Sequence, residues 1–201
     1  MTRSSVVGEM AILLLAAGSS SRLGHSKQLL KVNNTPLLTL SATTAIESGD
    51  HKVVVVVGAN VIAHRNLIKH LPVEIVYNPT WHKGMGNSLK VGLSHLTNGT
   101  QNLAAIIIMV CDQPLITSSH LKKLIQKYKD SKSPIVASYY SGVAGVPSLF
   151  DNSLFSNLLS LGDDEGAKKI IQQRPDLVTT IDFPEGAFDI DTDQDLKKFI
   201  S

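Results

Sequence analysis

Cysteine is almost absent from this sequence: Cys111 is the single thiol among 201 residues. One cysteine excludes an intramolecular disulfide framework and any multi-cysteine metal site, and it fits a reducing compartment. Long apolar runs are absent as well. The runs 10–17 and 104–111 hold eight residues each, whereas a helix crossing a bilayer needs about 20, so no membrane partner is expected. Residues 1–10 contain no apolar stretch ending in a cleavage site. No signal peptide is therefore expected, and the cytoplasm is the expected compartment. No charge of one sign dominates. Lys plus Arg (19) nearly balances Asp plus Glu (17), for a net charge of +2, and without a basic face or tail no nucleic-acid partner is expected. An internal repeat, a low-complexity tract and an obvious linker are also missing, which leaves a single domain over 1–201.

What is there is an alternation of apolar runs and amphipathic stretches. Segments 10–15, 53–57 and 104–110 are unbroken apolar runs, as expected of strands covered on both faces. The second is five valines in succession, and β-branched side chains favour strands. Shorter strands are expected at 73–77, 135–139 and 177–181. Helices are expected at 35–48, with Thr35 as cap and Pro36 at the first helical position, at 61–70, at 87–96, and at 118–130 behind Thr117 or Ser118 as cap. Past residue 140 the pattern loosens: 142–147 reads as a turn between strands, and helices are expected at 153–160, 165–173 and 193–200. This order predicts an α/β fold, a three-layer α/β/α, Rossmann-like arrangement with a mainly parallel mixed sheet and right-handed crossovers. Such open sheets bind ligands beyond the carboxyl ends of their strands.

The first of those ends carries Leu15-Ala16-Ala17-Gly18-Ser19-Ser20-Ser21-Arg22-Leu23-Gly24-His25-Ser26-Lys27. Small residues let a backbone approach a ligand closely, and consecutive N–H groups can cradle phosphate oxygens. Arg22 and Lys27 add positive charge. The loop lacks the Gly-Lys-Ser/Thr ending of a Walker motif. Counted from Gly18, its third and sixth positions are Ser20 and Leu23, so it is not the dinucleotide fingerprint, and an oxidoreductase built on that fingerprint is disfavoured. The plainer alternative is a flexible surface turn with two solvated cations. Asp112 follows the run 104–111, and a lone carboxylate at a strand end can hold a divalent cation together with substrate oxygens. Its alternative role is to cap the helix that starts near Thr117. Asp189 and Asp191 are two apart and in an extended segment would face one way. They repel unless a cation lies between them or one turns aside to cap the last helix.

Several motifs recur in a set order. They are Ala16-Ala17-Gly18 with Arg22, Gly24 and Lys27; Asn78-Pro79 with Trp81 and Gly84-Met85-Gly86-Asn87-Ser88-Leu89; Cys111-Asp112-Gln113-Pro114; Gly145-Val146-Pro147; Gly162-Asp163 with Gly166-Ala167-Lys168; and Asp189-Ile190-Asp191-Thr192. Together, over about 10–200, they resemble the MobA-like NTP transferase family, a GT-A-like or nucleotide-diphospho-sugar transferase fold. Within it they are most similar to the molybdenum cofactor cytidylyltransferase type. The resemblance implies a nucleotide-binding half at about 10–115 and an acceptor-binding half at about 116–201. It implies that Leu15, Ala16, Ala17, Gly18 and Ser19 wrap the nucleotide and that Arg22 and Lys27 hold its triphosphate. Asp112 and an aspartate of the Asp189–Asp191 pair would ligate Mg2+, with Asp191 favoured as the direct ligand. Gly58, Asn78, Gly86 and Ser88 would contact base and ribose.

Leu-Ala-Ala-Gly resembles the cytidylyltransferases and Leu-Ala-Gly-Gly the guanylyltransferases, which points to CTP, although one methyl discriminates by only about 1–3 kcal/mol. The implied reaction moves CMP from CTP to the terminal phosphate of molybdopterin and releases pyrophosphate, with Gln113, Gly145, Pro147 and Asp163 shaping the acceptor pocket. A client molybdoenzyme or its maturation factor is a possible partner. One departure bears on the acceptor. The family pattern Gly-Asp-x-Gly-Ala-Arg stands here as Gly162-Asp163-Asp164-Glu165-Gly166-Ala167-Lys168, with an extra residue and a lysine that cannot make arginine's bidentate contact. The alternatives are transfer to another phosphorylated acceptor, such as a sugar or alcohol phosphate, or a non-catalytic molybdenum cofactor-binding chaperone. Cys111 is expected to be a small buried apolar residue, Trp81 to pack beneath its loop, and His64, His70 and His82 to play no part in metal binding.

Overall fold

The computed structural model describes residues 8–20, 26–190 and 195. In chain order its main elements are β1 (Glu9–Ala16), a short antiparallel ladder of β2 (Lys31–Val32) and β3 (Thr35–Pro36), α1 (Leu37–Glu47), β4 (Lys52–Val57), α2 (Val61–Ile68), β5 (Glu74–Tyr77), α3 (Met85–Gly99) and β6 (Leu103–Val110). There follow α4 (Ser118–Ser131), β7 (Ile135–Tyr140), β8 (Val143–Asp151), α5 (Phe155–Leu159), α6 (Lys168–Gln173) and β9 (Val178–Asp182). Seven strands form one sheet in the order β5-β4-β1-β6-β8-β7-β9. β5, β4, β1 and β6 are parallel, as are β7 and β9; β8 runs antiparallel to both its neighbours.

Two apolar layers sandwich this sheet, and the alternation of β1 assigns its residues to them in turn. Ala11, Leu13 and Leu15 pack with Leu89, Leu93 and Leu96 of α3, Leu158 of α5 and Ile170 of α6. Ile12, Leu14 and Ala16 pack with Leu38 and Ala42 of α1, Ile68 of α2 and Leu121 and Leu124 of α4. The result is the expected three-layer α/β/α architecture. Among the described residues no helix is long and apolar enough to cross a membrane.

Three local expectations are corrected. Thr35 and Pro36 do not begin α1. Asn33 and Asn34 take left-handed φ values of 49° and 65°, the two-residue reversal that closes a tight hairpin. Thr35 and Pro36 therefore pair back onto Val32 and Lys31, and α1 starts at Leu37. The supposed turn at 142–147 narrows to Ser141 and Gly142; Val143 onward is β8, inserted between β6 and β7. Its Gly145 and Pro147 read as breakers, yet the strand continues through a register shift opposite Ala137 and Ser138. α6 begins at Lys168 rather than 165, because 162–165 folds onto the start of α3 instead. Thr117 is the cap of α4, its hydroxyl accepting from the His120 N–H at 3.2 Å. The helix expected at 193–200 lies outside the described residues.

Candidate active site

Because β1, β4, β5 and β6 are parallel, their carboxyl ends open on one edge of the sheet, and the segments after them meet there. The segment after β1 is tied down carbonyl by carbonyl. Gln28 Nε2 donates to Ala16 O at 3.2 Å and to Gly18 O at 2.9 Å, and the Ala59 N–H after β4 donates to Ala17 O at 3.0 Å. Gly58 makes that last approach possible: a Cβ there would lie 2.6 Å from Ala17 O and 2.5 Å from Trp81 Cβ. Ser20 Oγ accepts from the Lys27 N–H at 3.0 Å. Lys27 Nζ in turn lies 2.8 Å from Asp112 Oδ2 at the end of β6. The peptide after Asp189 closes the corner, with the Ile190 N–H donating to Asp112 O at 2.9 Å. Asp112 thus faces the β1 segment and stands beside Asp189. It does not cap α4, since Thr117 does.

A cavity of about 550 Å³ opens between the β1 segment and the residues around the start of α3. Leu15, Ala16, Ala17, Gly18, Ser19, Lys27 and Asp112 line one side, and Trp81, His82, Gly84, Met85 and Ser88 the other. Lys27, Asp112 and the loop serines give one end charged and polar groups; Trp81 and Met85 supply apolar surface. Among the described residues, a Cβ at Gly18 would meet nothing within 4 Å, so that backbone is open to a ligand.

Three of the residues expected to touch the nucleotide do not line this cavity. Gly58 supports Ala17 and Trp81 from behind. Asn78 is fully buried; its Nδ2 donates to Asn87 Oδ1 and Ser88 Oγ, both at 3.0 Å, and its Oδ1 accepts from the Thr80 N–H and hydroxyl. It fixes Ser88 rather than reaching the cavity itself. Gly86 is where 162–165 meets α3, and a Cβ there would lie 2.5 Å from Glu165 O.

The residues expected to hold the acceptor separate into two places. Gln113 and the Gly145–Pro147 stretch gather at Tyr140. Gln113 Nε2 donates to Tyr140 Oη at 3.4 Å and to Gly186 O at 3.1 Å, Tyr140 Oη donates to Val146 O at 2.9 Å, and a Cβ at Gly145 would lie 2.5 Å from that phenol oxygen. Pro147 O accepts from the Ser138 hydroxyl at 2.6 Å. Gln113 Oε1 is buried without a partner among the described residues. Burial raises the Tyr140 phenol above its ordinary value, and the charges of Asp189 and Asp112 act in the same direction. Asp163 stands apart. Lys90 Nζ sits 2.7 Å from its Oδ1 and, with Asn87, holds the carboxyl below its usual range. Arg22 and Asp191 lie outside the described residues.

Cys111 is buried, and desolvation pushes its thiol up to about 12, so it is inert at neutral pH. Trp81 packs partly against the core, as expected, but it also lines the cavity. Sequence reasoning passed over Tyr140, Gln28 and Met85, and considered His64 only as a metal ligand. Of these, Met85 and Gln28 sit in or directly beside motifs that were singled out. Among the described residues no three His, Cys, Asp or Glu side chains cluster as a self-sufficient metal site. The oxygen donors of Asp112 and the neighbouring Asp189 suit a hard cation that takes its remaining ligands from substrate and water.

Nicotine blue oxidoreductase of Paenarthrobacter nicotinovorans is 31% identical over 204 residues, spanning 94% of this chain and 95% of that protein. The purine catabolism protein PucB of Bacillus subtilis (strain 168) is 26% identical over 177 residues, 80% of this chain and 79% of that one. Among solved structures, Rv0371c of Mycobacterium tuberculosis H37Rv superposes with a TM-score of 0.83 at 25% identity, covering 96% and 97% of the two chains. A second structure of Rv0371c is a complex with manganese, at 22% identity and a TM-score of 0.75 over 96% and 98% of the chains. The model of the MobA-like NTP transferase domain matches residues 12–178, and the chain therefore belongs to that family of nucleotidyltransferases.

Proposed function

We propose that this chain transfers CMP from CTP to the terminal phosphate of molybdopterin, releasing pyrophosphate, with Mg2+ as the divalent cation. The observation that carries the reading is the 2.8 Å meeting of Lys27 and Asp112 at the charged end of a cavity walled by Ala16-Ala17-Gly18. That arrangement sets one cation and one anion where a triphosphate and its counter-ion would lie. Leu15 to Ser19 and Ser88 receive the nucleoside, Lys27 and Arg22 the phosphates. Asp112 with Asp189 or Asp191 holds the cation, which when bound lowers the Coulomb cost of bringing two anions together.

In the reaction an acceptor phosphate oxygen forms a bond to the α-phosphorus while the bond to the β-phosphate's bridging oxygen breaks, and the electron pair leaves with pyrophosphate. The acceptor phosphate is ionised at neutral pH, its second pKa lying near 6, so this chain need supply no general base. Its residues position the two anions, and Lys27 stabilises the charge that develops on the leaving group. The acceptor enters over residues 116–201, where the Tyr140 surroundings lie beside Asp112. Nucleotide thus sits on the half before about 115 and acceptor on the half after it. A cytoplasmic setting, and a client molybdoenzyme that takes up the product, complete the reading.

Pyrophosphate release from a panel of CTP, GTP, ATP and UTP, each with molybdopterin or a sugar phosphate, tests this. The expected result is release with CTP and molybdopterin alone. Release only with a sugar phosphate would move the acceptor assignment, and release with GTP the base assignment.

One observation favours a second reading: the relative at 31% identity is named nicotine blue oxidoreductase. On that reading the cavity would take a nicotinamide dinucleotide. Consumption of NADH or NADPH in the presence of an aromatic dye, with no pyrophosphate released from any triphosphate, would establish it in place of nucleotidyl transfer.

A further inference from the structure

Behind the segment after β1, on the side away from Trp81, lies a polar chain that the reaction does not use. His64 in α2 is fully buried, and its Nε2 lies 2.7 Å from Ser26 Oγ. Ser26 Oγ lies 2.6 Å from Gln28 Oε1. Gln28 Nε2 donates to Ala16 O and Gly18 O. Ser20 Oγ adds a longer bond to Gln28 Oε1, at 3.3 Å, and accepts from the Lys27 N–H.

The direction of every proton in this chain follows from its far end. Two carbonyls can only accept, so the Gln28 amide nitrogen must face them and its oxygen must face Ser26. The Ser26 hydroxyl must then donate to that oxygen. Its own oxygen is left to accept, so His64 must donate from Nε2. The imidazole is therefore the neutral Nε2–H tautomer. In agreement, Nδ1 is buried without a partner among the described residues, and burial lowers the His64 pKa. Reversing any one link would leave two donors or two acceptors face to face, so the chain has a single satisfied state.

The carbonyls it fixes belong to the residues on which the nucleotide reading depends. In a planar trans peptide the N–H of one residue is antiparallel to the carbonyl before it. Pulling Gly18 O back onto Gln28 therefore turns the Ser19 N–H the other way. The same chain brackets Lys27, because Ser26 and Gln28 flank it and Ser20 holds its N–H. Resting on the nucleotide reading above, we propose that His64 is a positioning residue. It acts through Ser26 and Gln28 to hold the Ala16–Gly18 backbone and Lys27 in the shape that receives the triphosphate.

The test uses the full chain and four variants: His64→Leu, Ser26→Ala, their double, and His64→Gln, whose amide can donate to Ser26. Hydrogen exchange of residues 15–20 and the Kd for CTP with Mg2+ are read on each. His64→Leu and Ser26→Ala should each speed exchange in 15–20 and weaken CTP about five- to thirty-fold, the loss of one buried hydrogen bond of 1–2 kcal/mol. The double variant should be no weaker than the worse single one, and His64→Gln should recover most of the affinity. Ser26→Ala removes a single oxygen and guards against a His64→Leu chain that fails to fold. Unchanged CTP affinity in both single variants, or strictly additive losses without rescue by glutamine, would overturn the proposal. A wild-type chain that binds no triphosphate would instead remove the nucleotide reading, and exchange in 15–20 would then decide by itself whether His64 braces the segment.

Discussion

The sheet has two halves built on different principles. From β5 to β6 the strands are parallel, each is followed by a helix, and the segments at their carboxyl ends are locked to one another: Ala59 N–H on Ala17 O, Asn78 N–H on Val57 O, Lys27 on Asp112. From β8 to β9 an antiparallel strand intrudes, the register shifts, and polar groups converge on Tyr140 with Gln113 Oε1 left unpartnered among the described residues. The first half is a cradle whose described segments are tied to one another. The second gathers polar side chains, with a buried amide oxygen among them, around a less regular strand. A nucleotide that must be held at its α-phosphorus suits the former, and an acceptor that need only present one phosphate suits the latter.

If that contrast is sound, substitutions in the two halves should separate by readout. The largest effect belongs to Asp112→Ala. Losing the carboxylate should cut pyrophosphate release at least about a hundred-fold, several kcal/mol of transition-state charge stabilisation, while the melting temperature stays near wild type. Near-wild-type turnover would break the assignment. Acid should act on the other half next. Desolvation pushes His120, which stacks on Phe183 with ring centroids 4.0 Å apart and bonds Ser138, down from the usual 6.5 to about 4. Lys123 pushes the same way and Glu185 weakly opposes. The unfolded chain therefore binds the proton first. Stability is fully present above pH 6.5 and falls as pH drops towards 4, by about 1.4 kcal/mol per unit and roughly 3 kcal/mol in all. Urea melts across that range should lose this limb in His120→Gln. An acid limb that survives the substitution would put its origin elsewhere.

Gly58→Ala comes third. A methyl pressed against Ala17 O and Trp81 should cost about 1–3 kcal/mol in chemical denaturation, whereas Gly18→Ala, which meets nothing among the described residues, should leave stability unchanged. The smallest effect is expected from Tyr140→Phe. It removes one hydroxyl from the acceptor side, so the KM for the acceptor should rise a few-fold, about 1 kcal/mol, with CTP affinity unmoved. An equal loss for both substrates would erase the division between the halves.

The same contrast explains what was legible beforehand. Strands β1, β4 and β6 announce themselves because a strand buried on both faces must be apolar throughout, and 53–57 admits no other reading. Asp112 was visible because it follows such a run directly. β8 was not visible: Gly145 and Pro147 interrupt its pattern, and only the antiparallel partners on each side make them a strand. α1 was placed too early because a Thr-Pro pair fits a helix start as well as it fits the edge of a hairpin, and Asn33-Asn34 decided between them. Asn78 and Gly86 lay in the right motifs and Gly58 at the end of a strand, but spacing cannot distinguish a residue that touches a ligand from one that lets two backbones meet. Gln28 and His64 are 36 positions apart in sequence, and nothing local marks either as part of the same chain of hydrogen bonds.

The most direct measurement is calorimetric titration of CTP with Mg2+ into the wild-type chain and into Lys27→Ala. Saturable one-to-one binding, weakened at least about ten-fold by the loss of the ammonium, is the predicted result, since a charge-assisted contact contributes 1.5–3 kcal/mol. CTP that binds both chains equally, or neither, would contradict the placement of a triphosphate between the β1 segment and Asp112.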